Sequence, residues 1–241
     1  MGTKIEWTEE TWNPITGCTK CSEGCANCYA ARFANRLKAM GNKRYSNGFA
    51  VTVHHDLFEK PLQWKKPKMI FVNSMSDIFH DDVPDNDIIE LFRIMSIASK
   101  HTFQVLTKRA ERLEEMSSRL IWSDNIWMGV SIENKDSIYR ADHLKRSGAK
   151  VKFISAEPLL ESISCIDLNG IDWVIVGGES GAHCRPIKEE WAIEIKDKCK
   201  ELKIPFFFKQ WGGFNKKAAG NLLQGKSYKE YPIITKNKPK A

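Results

Sequence analysis

Residues 102–131 read TFQVLTKRAERLEEMSSRLIWSDNIWMGVS, and this stretch decides the architecture. Two short apolar runs, TFQVLT (102–107) and IWMGVS (126–131), flank an amphipathic segment, AERLEEMSSRL (110–120). Strands that are apolar at almost every position are buried on both faces, as in a parallel sheet covered by its own crossover helices. The unit recurs in both directions. Upstream, MIFVNS (69–74) precedes DNDIIELFRIMSIASK (85–100), which is apolar at 88, 91, 92 and 95, a helical face with an Asp or Asn cap. Downstream come helix SIYRADHLKRS (137–147), strand VKFISA (151–156), the insertion LLESISCIDLNG (159–170) and strand DWVIVGG (172–178). Helix KEEWAIEIKDKCKEL (188–202) and strand PFFFKQW (205–211) close the series. A first strand within ETWNPIT (10–16) brings the count to seven, and residues 41–68 form an irregular connection. The expected fold is α/β: a complete or partial βα barrel of six or seven parallel strands, in one domain over residues 1–225. An open doubly wound sheet is the rival, but its G-x-G-x-x-G fingerprint after the first strand is missing.

The chain of 241 residues carries a net charge of +7 and a pI near 9.0, which suits a polyanionic partner such as a nucleotide or nucleic acid. No stretch of 18 apolar residues occurs, so no membrane partner is expected. The start, MGTKIEWTEE, lacks the apolar core of a signal peptide; with reduced thiols this points to the cytoplasm. Residues 226–241, KSYKEYPIITKNKPKA, hold five lysines and are expected to form a basic, flexible tail.

Four cysteines crowd into GCTKCSEGCANCYA (17–30): Cys18, Cys21, Cys25 and Cys28. The last three read C-x3-C-x2-C, a spacing that lets three thiolates hold a [4Fe–4S] cluster and leaves one iron free for another ligand. A zinc site is the alternative, since Cys18–Cys21 and Cys25–Cys28 are both C-x2-C pairs, though the knuckles of such sites usually stand further apart. A disulfide framework is unneeded in a chain long enough to bury a core. Upstream of the next strand, NCYAARFANRLKAM (27–40) reads as a helix, with Tyr29, Phe33 and Leu37 four apart.

The polar residues of interest stand where strands end: Ser74 to Asp77, Thr107 to Arg109, Ser131 and Glu133, Ser155 to Glu157, Gly177 to Ser180, and Lys209 to Trp211. In a βα barrel these ends share one mouth, onto which the cysteine loop also opens.

A cysteine loop directly after the first strand of such a barrel resembles the radical S-adenosylmethionine superfamily. Within it, the chain resembles a phage- and bacterium-borne family with a three-cysteine motif, largely of unassigned function. The stretches that carry the resemblance are WTEETWNPITGC, GCANCYA, FVNSMSDIFHDDVP, HTFQVLTKR, SAEPLL, DWVIVGGESG and PFFFKQWGG, spread over residues 5–213. A weaker similarity reaches spore photoproduct lyase, a DNA-repair member, through the CxxCY ending and the barrel. The family's three cysteines fall at Cys18, Cys25 and Cys28, whereas the general superfamily spacing selects Cys21, Cys25 and Cys28.

The resemblance implies an enzyme that binds a [4Fe–4S] cluster and S-adenosylmethionine. An external one-electron reductant then drives cleavage of the cofactor to a 5′-deoxyadenosyl radical, and the cofactor carries the hard chemistry. It implies cofactor contacts from Asn73, Ser74, Ser76 and Asp77 to the methionine ammonium, from Lys108 and Arg109 to its carboxylate, from Ser131 and Glu133 to the ribose, and from Gly177 and Gly178 to the adenine. Each has a structural counterpart: Asp77 as a helix cap, the glycines as a tight turn. Lys209, Gln210 and Trp211 suit a base or nucleotide, with Trp12, Asn13 and Trp7 as a second stacking face and Glu157 and Glu179 as mouth carboxylates. Cys184, near His183 and Arg185, could donate hydrogen to a product radical, while Cys165 and Cys199 are expected to be structural. A radical enzyme for nucleic-acid modification or repair is thus the leading expectation. A non-catalytic zinc-stabilised nucleic-acid-binding module, or a radical enzyme for a peptide or small metabolite, is the alternative.

Overall fold

All seven expected main strands form, and each lies parallel to its neighbours in a computed structural model that describes residue 3 and residues 5–214 and 220–233. The elements are β1 (Glu10–Trp12), β2 (Ile15–Thr16), α1 (Tyr29–Ala39), β3 (Thr52–Val53), α2 (Lys60–Gln63), β4 (Met69–Val72), α3 (Asp85–Ile97) and β5 (Thr102–Thr107). There follow α4 (Ala110–Met116), β6 (Ile126–Ser131), α5 (Arg140–Arg146), β7 (Val151–Ala156), β8 (Trp173–Gly177), α6 (Glu189–Leu202) and β9 (Phe206–Gln210). The sheet order is β1-β4-β5-β6-β7-β8-β9, so after β1 each strand is laid beside its predecessor. Among the described residues β1 and β9 do not pair, and the barrel is therefore partial, in a single domain. The connection at 41–68 is less irregular than expected: its β3 pairs antiparallel with β2. No helix among the described residues is long and apolar enough to cross a membrane.

Alternation along each strand sorts side chains onto two faces. Ile70, Val72, Phe103, Val105, Met128, Val130, Ile154, Val174 and Val176 face outward and pack with Leu91, Phe92, Leu113, Leu144 and Ile195 of the helices. The residues between them face inward. At the N-terminal ends of the strands these are Phe71, Trp127, Phe153, Trp173 and Phe207, joined by Trp7. Trp173 sits at the centre, 5.9 Å from Trp127, 5.6 Å from Phe153 and 6.3 Å from Trp7. This aromatic plug fills the floor of the barrel. Towards the carboxyl ends of the strands the inward positions turn polar, at once in β4, β7 and β9 and only after Leu106, Gly129 and Ile175 in β5, β6 and β8, and the site begins.

Three expectations are corrected here. Trp12 is not a stacking face for a substrate: it is 1% exposed, lies 5.8 Å from Phe103 in the outer core, and its indole N–H donates to Leu57 O at 2.8 Å. Trp7 likewise belongs to the floor. The tail is not free from residue 226: Lys229 forms an antiparallel bridge with Phe207, and Trp173 Nε1 donates to Glu230 O at 2.8 Å. Residues 234–241 of that expected tail lie outside the described residues.

Candidate active site

The mouth is built from strand ends. Continuing the inward positions past the floor gives Asn73 after β4, Lys108 after β5, Ser131 and Glu133 from β6, Ser155 and Glu157 from β7, Gly177 on β8 and Lys209 on β9. Two ion pairs span it. Lys108 Nζ meets Glu133 Oε1, and Lys209 Nζ lies 3.1 Å from Glu157 Oε1. Ser155 Oγ donates to the other Glu157 oxygen at 3.3 Å.

The cysteine loop lies across this mouth, tied down at several points. Ser22 Oγ donates to Glu133 Oε1 at 2.7 Å, and a Cβ on Gly24 would run into the Glu133 side chain. Glycine at 24 is thus what lets the loop approach β6 so closely. Arg109 Nη2 donates to Thr19 O at 3.3 Å, and its Nη1 lies 3.6 Å from Cys18 Sγ. On the β8 side, Glu179 receives Arg185 (Nη2 at 2.6 Å) and Asn27 (Nδ2 at 3.0 Å), while Arg185 reaches on to Glu23 Oε1 at 3.0 Å. Burial works against a charge on Glu179, but Arg185 and Asn27 overcome it and hold its carboxyl at about 2.

Within the loop, the Cys21 thiol donates to Cys25, holding the Cys25 thiol at about 4, with the Lys108 charge helping, and pushing Cys21 far up. Burial and the Asp77 charge push Cys18 up to about 11, against Arg109. Burial pushes Lys108 down to about 8, against the pull of Cys25. Among the described residues, no three Cys, His, Asp or Glu side chains converge into a metal site as the loop stands. The donor chemistry nonetheless fits an iron–sulfur cluster, since four soft thiols share one short loop. Asn73 adds a second point of fit. Its Oδ1 accepts from Ile15 N at 3.2 Å, leaving Nδ2 buried with no partner among the described residues.

Other expected contacts are already committed elsewhere. Asp77 takes four donors: Thr107 Oγ1 (2.7 Å), Phe79 N (3.0 Å), Lys108 N (3.0 Å) and Arg109 Nη1 (3.2 Å). It orders the β4 and β5 ends and has no lone pair to spare for an ammonium. Glu179 is consumed by Arg185 and Asn27 and acts on the loop, not on a substrate. Ser74 Oγ donates to Asn13 Oδ1 at 3.1 Å and Ser76 Oγ to Ile15 O at 3.0 Å. Gln210 donates to Ser180 Oγ at 2.6 Å, and Trp211 packs on Phe208 with its N–H on Leu222 O at 2.9 Å, on the helix side of the sheet. Gly178 is needed because a Cβ would strike the Trp211 carbonyl, while Gly177 makes room for the Glu157 carboxylate. Cys184 is half-buried, Cys199 is buried in α6 with its thiol pushed up to about 12, and Cys165 is exposed, contrary to a structural role.

Arg140 went unnoticed in the sequence. It is buried, and its Nη1 donates to Glu133 Oε2 and to Ser131 O, both at 2.8 Å. A cation four residues before the buried Leu144, on the apolar face of α5, was the signal that could have found it.

Fold and site together define a partial parallel βα barrel with a cysteine loop laid over the carboxyl ends of its strands. The chain belongs to the family described as protein of unknown function DUF5131, matched over residues 2–232. No curated protein sequence matches it. Among solved structures it is similar to spore photoproduct lyase. A mutant of that enzyme with dinucleoside spore photoproduct aligns at a TM-score of 0.51 and 13% identity, over 83% of this chain and 63% of the other. The lyase complexed with dinucleoside spore photoproduct aligns at 0.50 and 13% over the same shares. The likeness is one of fold, and the chain spans 63% of the length of these structures.

Proposed function

We propose that this chain is a radical S-adenosylmethionine enzyme that acts on a nucleic-acid base or nucleotide. The observation that carries the proposal is the cysteine loop fastened across the barrel mouth by Glu133, Arg109 and the Glu179–Arg185 pair. Cys25, Cys28 and one of Cys18 and Cys21 would hold a [4Fe–4S] cluster. When bound and reduced, that group supplies the electron that cleaves a carbon–sulfur bond of S-adenosylmethionine.

The chain's own residues do the rest. Lys108 favours the thiolate at Cys25 and Arg109 works towards it at Cys18 against burial and Asp77, and the two cations would also suit an anionic cofactor carboxylate. The Asn73 Nδ2 group, without a partner among the described residues, Ser131 and the Gly177 backbone would orient a cofactor. Glu157 and Lys209, on the opposite wall, would meet the substrate, and the aromatic floor excludes water from below. Cys184, in the segment that clasps the loop, would be the hydrogen donor to a substrate radical. The nucleic-acid assignment is supported by the charge of +7 and by a fold that in spore photoproduct lyase receives a dinucleoside.

The test is anaerobic reconstitution with iron and sulfide, followed by dithionite and S-adenosylmethionine, with chromatography for 5′-deoxyadenosine. Its formation, lost in Cys25→Ala, is the expected result. A protein that takes up zinc and gives no brown cluster would overturn it in favour of a metal-stabilised binding module.

A further inference from the structure

Helix α1 leaves the cysteine loop with its buried side made of Ala30 and Ala34, the smallest residues available. The larger side chains therefore stand outward. Tyr29 is 52% exposed, Phe33 47% and Met40, just past the helix, 69%. The spacing of Tyr29, Phe33 and Leu37 forecast a helix but not this polarity, because the helix packs on its alanines. Arg32 and Arg36, both exposed, interleave with these side chains at helical neighbour spacing, Arg32 between Tyr29 and Phe33 and Arg36 between Phe33 and Met40. Tyr29, Arg32, Phe33, Arg36 and Met40 thus form one continuous outward stripe. It begins at the mouth, where Tyr29 OH donates to Ser74 O and Arg32 Nη2 donates to Ser180 O at 3.1 Å. Eleven residues of helix carry it about 16 Å outward.

Charge is concentrated along the same segment. Residues 29–68 hold nine Lys and Arg against two Asp and Glu, a net of +7, so the rest of the chain balances to zero. Arg44 is paired with Asp56 and Lys68 with Glu10. Among the described residues, Arg32, Arg36, Lys38 and Lys43 have no carboxylate within ion-pair reach, although all four are exposed.

We infer that this stripe is a track for a single nucleic-acid strand leading into the mouth. Aromatic faces alternating with cations, set in a strongly basic stretch of the chain, suit bases that stack and phosphates that pair. A protein partner would leave the concentrated charge unexplained, and a bare polyanion would leave the aromatics unexplained. The inference rests on the nucleic-acid reading proposed above and gives it a route of entry.

Binding of fluorescein-labelled oligothymidylate to the full chain, followed by anisotropy without any cluster, tests it. Phe33→Ala should weaken binding about tenfold through lost stacking. Arg36→Glu should weaken it by a similar factor and lower the slope of log affinity against log salt by about 0.7 or more between about 50 and 200 mM. Lys200→Glu, an exposed change on α6, should stay within about twofold, and thermal melting checks that each variant is folded. The inference falls if the unmodified chain does not bind, if Phe33→Ala binds as tightly as the parent, or if Lys200→Glu weakens binding as much as Arg36→Glu. Formation of 5′-deoxyadenosine is scored separately. If it forms without oligonucleotide binding, the track is wrong and the radical enzyme stands; if the strand binds along the stripe without it, the reverse holds.

Discussion

Glu133 carries an unusual load for one side chain. It is fully buried and receives Lys108, Arg140 and Ser22 at once, joining β5, α5 and the cysteine loop. Glu133→Ala leaves two cations in a low-dielectric site without a counter-ion, so we expect a loss of about 3–5 kcal/mol, read from the urea midpoint. A variant as stable as the parent would show that water replaces the carboxylate. Glu179 gives a pH-dependent counterpart. Its folded carboxyl, held at about 2 against an ordinary 4.5, is charged over a wider range than in the unfolded chain. A depressed pKa contributes stability that is complete above about 4.5 and lost as pH falls towards about 2. Glu179→Gln should therefore be destabilised at neutral pH by roughly 2–3 kcal/mol, and the gap to the parent should close on acidification through that window. Denaturant titrations of both proteins at several pH values check the sign; a gap that widens in acid contradicts it.

The cysteine loop is the element on which the proposed function turns. Cys25→Ala and Cys28→Ala should each abolish cluster assembly, measured as bound iron per chain, while only one of Cys18→Ala and Cys21→Ala does so. Intact clusters in both of the latter would show that the two thiols substitute for each other. The strands and the place of this loop were legible in the sequence because each depends on local pattern: apolar runs, helical spacing and cysteines in tandem. Asp77, Glu179 and Gln210 were correctly placed at strand ends, yet their partners were not legible. Thr107, Asn27 and Ser180 come from distant segments, and only the closing of the sheet brings them together. Trp12 misled for a related reason: it ends an edge strand, and its orientation was decided by the packing of Phe103 two strands away.

At the scale of the whole molecule, the floor of the barrel sets stability. Trp173 touches the plug from every side, and Trp173→Ala should cost about 3–5 kcal/mol, seen as a fall in the thermal midpoint. Truncation after residue 225 should lower the midpoint as well, because it removes Tyr231, whose ring lies 5.2 Å from Trp173. An unchanged midpoint would mean that the C-terminal segment is dispensable for the fold. The seam between β1 and β9 carries a further consequence. Near the floor it is buttoned, with Glu6 meeting Asn221 at 3.2 Å and Lys229 at 3.4 Å, while among the described residues no strand-to-strand hydrogen bond crosses it higher up. Spreading the rim therefore breaks no ladder, whereas spreading the base breaks these ties and tears the aromatic plug. The molecule is thus laced differently at its two ends: the base is pinned by Glu6 and the plug, while the rim has side-chain ties, such as Asn27 to Glu179 and Arg32 to Ser180, in place of a ladder.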